Sequence, residues 1–85
     1  MRKTARDPLA SLLNINEFIE SGGQISIGRM GPIKDVAVAS DDHNCLAMLR
    51  RRPNESLFQL LVRLDAAIGR AWEEDFYTDE INSHN

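Results

Sequence analysis

Asp41-Asp42-His43-Asn44-Cys45-Leu46-Ala47-Met48-Leu49-Arg50-Arg51-Arg52-Pro53 is the stretch on which the fold turns. Residues 41–44 are turn formers, and the apolar run behind them reads in two ways. As a helix over 42–51, capped by Ser40 or Asp41, it shows a short apolar stripe of Cys45, Met48 and Leu49. Leu, Ala, Met and Arg all favour that state. As a strand it completes a hairpin with Ile33–Ser40. A four-residue loop at 41–44 then pairs Ser40 with Cys45, Val38 with Ala47 and Val36 with Leu49. On the other face Ala39 meets Leu46, Ala37 meets Met48 and Asp35 meets Arg50, leaving Lys34 opposite Arg51 at the ladder end. Apolar pairs and one opposite-charge pair align without adjustment, so the strand is the preferred reading.

Moving outward, Pro53 cannot continue either element. Ser56 with Gln59 three residues on matches a capping box, and a helix follows from Leu57 to about Glu74. Its stripe is Leu57, Leu61, Leu64, Ile68 and Ala71, with Leu60 and Trp72 beside it and Arg63, Arg70 and Glu73 opposite. In the other direction, Gln24 to Arg29 alternates as a strand, with Ile25 and Ile27 on one side, and Gly31-Pro32 turns the chain. Asp7-Pro8 starts a first helix that runs to Ser21 and ends at Gly22-Gly23. The expected fold is α+β: helix, three-stranded antiparallel sheet, long C-terminal helix. Residues 1–6 form a flexible basic N-terminus, 7–75 a single domain and 76–85 an acidic tail.

Eighty-five residues with one cysteine lie near the lower limit for a self-sufficient core, so self-association is a natural source of further buried area. A net charge of −3 and a pI of about 5.2 disfavour a nucleic-acid partner held by bulk charge. Nucleic acid is therefore a candidate partner but not the favoured one. A single cysteine fits a reducing compartment, and neither a membrane-length apolar run nor a signal peptide is read, so a cytoplasmic location with no membrane partner is expected.

Two surfaces lack an evident cover. The proposed sheet is apolar on both faces, and two helices cover only one. On the long helix, Phe58, Val62 and Gly69 lie off the central stripe, a seam for helix 1 or for a partner. Together these surfaces favour a homodimer.

Little points to chemistry. Residues Asp41 to Asn44 hold potential metal ligands, but neighbours in one turn rarely converge on an ion, and an ordinary polar loop is expected. Cys45 reads as a buried structural thiol. No catalytic motif or cofactor loop occurs, so no catalytic residue, metal or cofactor is assigned. Arg50, Arg51 and Arg52 before a helix N-terminus are candidates to contact an anion or nucleic-acid backbone, with Arg2, Lys3 and Arg6 as possible additions. The competing reading is a charged edge that discourages aggregation. Phe76, Tyr77 and Ile81 among carboxylates form a candidate docking tail, or else fold back on the domain.

The helix–strand–strand–strand–helix order resembles the double-stranded-RNA-binding domain. Asn54-Glu55-Ser56-Leu57-Phe58 stands where that family carries its basic motif, so its activity does not transfer. If residues 42–51 are helical, residues 33 to about 72 resemble the ribbon-helix-helix regulators, with an extra N-terminal helix. That resemblance implies base-reading side chains at Asp35, Ala37 and Ala39, or at Lys34, Val36 and Val38, and neither row suits the task. The run Glu55-Ser56-Leu57 through Leu60-Leu61, Arg63-Leu64-Asp65 and Ala67-Ile68 resembles small uncharacterised bacterial proteins and implies no function. The expectation is a small non-catalytic protein-interaction or regulatory module, homodimeric, with an unknown protein partner. A ribbon-helix-helix type DNA-binding regulator or antitoxin is the alternative.

Overall fold

In the computed structural model, which describes residues 7–82, Cys45–Arg50 is a strand. The strands β1 (Gln24–Met30), β2 (Ile33–Ser40) and β3 (Cys45–Arg50) form an antiparallel meander. A ribbon-helix-helix arrangement needs a helix where β3 lies, so that alternative topology is not the one adopted. The sheet also has a member that the sequence reading lacks. Beyond the long helix, β4 (Thr78–Asp79) pairs parallel to β3, making a mixed four-stranded sheet of order β1-β2-β3-β4.

The four-residue β2–β3 loop forms as read, because one side chain organises it. Asp41 Oδ1 accepts the N–H groups of His43 at 2.8 Å and Asn44 at 2.7 Å, and Ser40 pairs with Cys45. Those bonds hold the Asp41 carboxyl below its usual range. The register beyond the loop differs from expectation. A bulge at Ala39/Ser40 inserts Leu46 as an extra residue, so Ala39 meets Ala47, Ala37 meets Leu49 and Val36 meets Arg50. Arg50 thus faces Val36 and not Asp35. The physical gain is in the core. Leu46 (4% exposed), Ala47 and Leu49 are all buried in one cluster with Ala37 and Ala39, which strict alternation forbids. The opposite face carries Ser26, Val38 and Met48 across the strands, so it is only partly apolar. Val38 and Met48 are half-buried there and Val36 is fully buried.

Over the core face lie α1 (Leu13–Glu20) and α2 (Leu57–Glu74). The expected single helix over 8–21 is split: Pro8–Ser11 is a 3-10 turn capped by Asp7, and Leu12 leaves helical geometry at φ −88°, ψ 74°. Leu12 has no side-chain cap to offer α1, so the helix takes one from elsewhere. Asp65 Oδ1 on α2 accepts the Ile15 N–H at 2.8 Å, which satisfies a free N–H of the first turn. Asn14 Nδ2 donates to the Asp65 carbonyl at 3.1 Å beside it.

The long helix has the bounds expected of it and a complete Ser56–Gln59 capping box. Its buried face is rotated from the expected stripe, however. Leu60, Leu64 and Ile68 are fully buried with Ala67 and Ala71, whereas Leu57 is 49% exposed. Small side chains on both layers, Ala67 and Ala71 against Ala37, Ala39 and Ala47, allow close approach of helix and sheet.

Phe18 closes the core at the end of α1, 2% exposed, with its ring centroid 6.2 Å from that of Trp72. It also explains Gly23: a Cβ at that position would overlap the Phe18 ring. A Gly23→Ala chain is expected to lose about 2 kcal/mol of stability in urea unfolding, the usual cost of overfilling a packed site.

Candidate functional site: an arginine hub beside an open hollow

The polar centre of the molecule is Arg63, which the sequence places on the solvent side of α2. Its Nε and Nη2 donate to the two carboxylate oxygens of Glu55, Nε at 2.6 Å and Nη2 at 3.0 Å. Nη1 donates to Glu80 Oε2 at 2.9 Å, and Nη2 also reaches the Arg50 carbonyl at 3.0 Å. The two carboxylates then grip the main chain: Glu55 Oε1 accepts the Arg52 N–H at 2.9 Å, and Glu80 Oε1 accepts the Arg50 N–H at 3.0 Å. One guanidinium thereby joins the exit of β3, the start of α2 and the segment after β4.

This bidentate pairing is well shielded, with the Glu55 side chain only 8% exposed. The Arg63 hydrogen bonds, with help from the Arg52 N–H, bring the Glu55 carboxyl down from 4.5 to about 2. Glu55 in turn raises the Arg63 value.

The Arg50–Arg52 run is accordingly not three free cations. Arg50 has its N–H and its carbonyl in the hub. Arg51 Nε donates to the Glu55 carbonyl at 2.8 Å, and its own N–H donates to the Asp35 carbonyl at 2.9 Å. Arg50 and Arg52 are the open members: Arg50 is exposed and gives the hub only its main chain, and the Arg52 side chain is 64% exposed and only loosely opposed by Glu80 at 3.8 Å. The capping box uses the N–H groups of Ser56 and Gln59, so the nearby helix terminus offers an anion fewer donors than the sequence suggests. The companion residues Arg2, Lys3 and Arg6 lie outside the described residues.

Beside the hub is a hollow of about 480 Å³. Phe58, Val62 and Pro53 line it together with Arg52, Gln59 and Arg63. Phe58 and Val62 are 40% and 43% exposed on a regular, capped stretch of helix. Gly69, read with them as one seam, is placed differently. It is buried under α1, where a Cβ would lie 2.7 Å from Asn14 Nδ2. Helix α1 thus meets the C-terminal half of that seam, and Phe58 and Val62 at the N-terminal half remain open.

Of the tail residues Phe76, Tyr77 and Ile81, only Ile81 is drawn in, and Phe76 stays 47% exposed. The Arg70 guanidinium lies 4.2 Å from the Phe76 ring centroid, Ile81 is half-buried, and Tyr77 is exposed. Glu80, which no motif distinguishes, anchors this segment through its N–H to the Met48 carbonyl at 2.8 Å. Cys45 is exposed and not a buried thiol, and desolvation pushes its pKa up.

Comparison with family models, curated proteins and solved structures finds no match. No helix among the described residues is long and apolar enough to cross a membrane.

Glu55 supplies a pH-dependent element of stability. Its folded value is depressed, so its contribution is complete above about 4.5 and disappears as the pH falls towards about 2. The urea midpoint should drop across that window, and Glu55→Gln should flatten the drop. Arg63→Ala should lower the midpoint at pH 7 far more than Arg52→Ala, which is expected to stay within about 0.5 kcal/mol of the parent.

Proposed function

We propose that this chain is a non-catalytic protein-interaction module that works as a homodimer and receives a partner protein on the open N-terminal half of α2. The observation that carries this reading is the hollow at Phe58 and Val62. It has an apolar floor and a rim of polar and charged groups, which is the composition of a protein-binding patch. The floor stands on a capped helix anchored by Arg63 to two other segments, so little ordering cost remains for binding.

The chemistry of the rim also selects the occupant. Glu55 and Glu80 are committed to Arg63, whereas Arg52 has most of its guanidinium in solvent. A peptide segment with a large apolar side chain next to a carboxylate would fill the hollow and pair with Arg52. A nucleic-acid backbone is less well served, because it needs a row of cations and the chain carries a net charge of −3.

A catalytic role finds no support in the same groups. The shifted carboxylate is Glu55, which is saturated by hydrogen bonds and held ionised. A general acid or base needs a pKa near the working pH.

The test is selection of a random peptide library on the folded chain, with counter-selection on Phe58→Asp. Enriched sequences should share an apolar residue beside Asp or Glu and should bind Arg52→Glu at least tenfold more weakly. Peptides that bind the Phe58→Asp chain equally well, or a salt-dependent shift of duplex DNA without peptide enrichment, would overturn the reading.

A further inference from the structure

From the sheet order and the sequence of β1, we infer that two copies of this chain associate through β1, edge to edge and antiparallel, about a two-fold axis at Ser26. The inference rests on the homodimer part of the proposed function and supplies its geometry.

Among the described residues β1 is an outer strand of the sheet. It is seven residues long and six of them are exposed, whereas the opposite edge, β4, has two residues. An edge strand presents a row of N–H and C=O groups that match only another extended chain. Proteins usually protect such an edge with charge, proline, a bulge or a covering element. From Gln24 to Gly28 this strand has neither a charged residue nor a proline, and its bulge comes later, between Gly28 and Met30. This five-residue segment is the unguarded part, regular up to Gly28, whose φ of 152° marks the start of the irregularity.

The segment is self-complementary. A two-fold axis at Ser26 sets Ser26 against its own copy, Gln24 against Gly28, and Ile25 against Ile27 in both directions. Residues opposed in this way lie on the same face of the sheet, which here is the helix-side face. Ile25 and Ile27 pair with Ala39 and Ala37 of the core within one chain. Ile25 packs on that core, but Ile27, further along the strand, is 45% exposed. Pairing of two copies would join four isoleucines in one row and cover Ile27. Each Arg29 falls outside the paired segment, so like charges do not meet.

The surroundings extend the fit. An almost wholly apolar groove of about 240 Å³ runs along this side, lined by Leu9, Leu12, Ile15, Ile19, Ile25 and Leu61. Leu9 and Ile19 are about half exposed in the single chain, at 49% and 50%. A two-fold axis normal to the sheet keeps both helix layers on one side, so the groove of one copy faces that of the other. The contact is isologous and closes at two copies, which limits the growth that open edges otherwise allow.

The experiment uses the full chain at tens of micromolar in sedimentation velocity. The parent chain should sediment as a dimer, and Ile27→Lys should weaken it at least tenfold while keeping its far-UV spectrum. Phe58→Asp should leave it dimeric. In a Cys45→Ser background, Ser26→Cys should oxidise to a disulfide-linked dimer, because opposed residues at a two-fold axis are within disulfide reach. Gln24→Cys should not. A monomeric parent overturns both the homodimer reading and this geometry. A dimer that survives Ile27→Lys, or that Ser26→Cys fails to cross-link, overturns the β1 geometry alone. If Ile27→Lys unfolds, the cross-linking pair decides.

Discussion

The guanidinium of Arg63 is the interaction on which the arrangement of the outer segments depends. It spans three pieces of chain that apolar packing alone would leave loosely related: the arginine-rich exit of β3, the turn into α2 and the segment after β4. A fork of donors suits this task because it binds one carboxylate at two points and still reaches a second carboxylate and a carbonyl. The partners are in turn bound to backbone N–H groups. The network is therefore satisfied from both ends, the condition under which a shielded charge is tolerable. It adds a side-chain tie to a β4 segment whose ladder is only two residues long.

Asp65, two residues further along α2, does the corresponding work on the other flank. Its carboxylate caps α1, whose own N-cap residue is Leu12. Helix α1 is eight residues long, well below the length that persists alone in water, so its position is a tertiary product. Both polar anchors thus lie on the helix whose apolar face rests on the sheet. The angle at which α2 lies fixes where α1 and the C-terminal segment can go. It also fixes what remains uncovered, because α1 reaches Gly69 and Trp72 but not Phe58 and Val62.

The proposed function is a matter of surfaces. The strongly perturbed carboxylate, Glu55, is joined to Arg63 in an ion network. The open features are an apolar hollow on a rigid helix and a bare strand edge beside an apolar groove. They lie on different elements, which would let a symmetric pair form while each copy keeps its hollow for a partner.

Much of the local structure was legible from the residues. The bounds of α2, its capping box, the Asp41 loop and strand character at 45–50 follow from periodicity and turn chemistry acting over a few residues. The register did not follow, because a bulge costs little locally and is selected by the burial of Leu46 together with Ala47 and Leu49. The break at Leu12 was equally hidden, since Asp65 is 50 residues away from the N–H that it caps. The candidate site divided in the same way. Phe58 and Val62 stood out by their angle on the helix, whereas Gly69 proved to be α1's contact, and of the Arg50–Arg52 run Arg51 is bound to the Glu55 carbonyl while Arg50 and Arg52 stay exposed. Composition and periodicity determine which faces are apolar and where helices begin. Which polar side chain meets which distant carboxylate, and which apolar face is left bare, is decided only when packing sets the helix on the sheet, because those energies arise between segments and not within them.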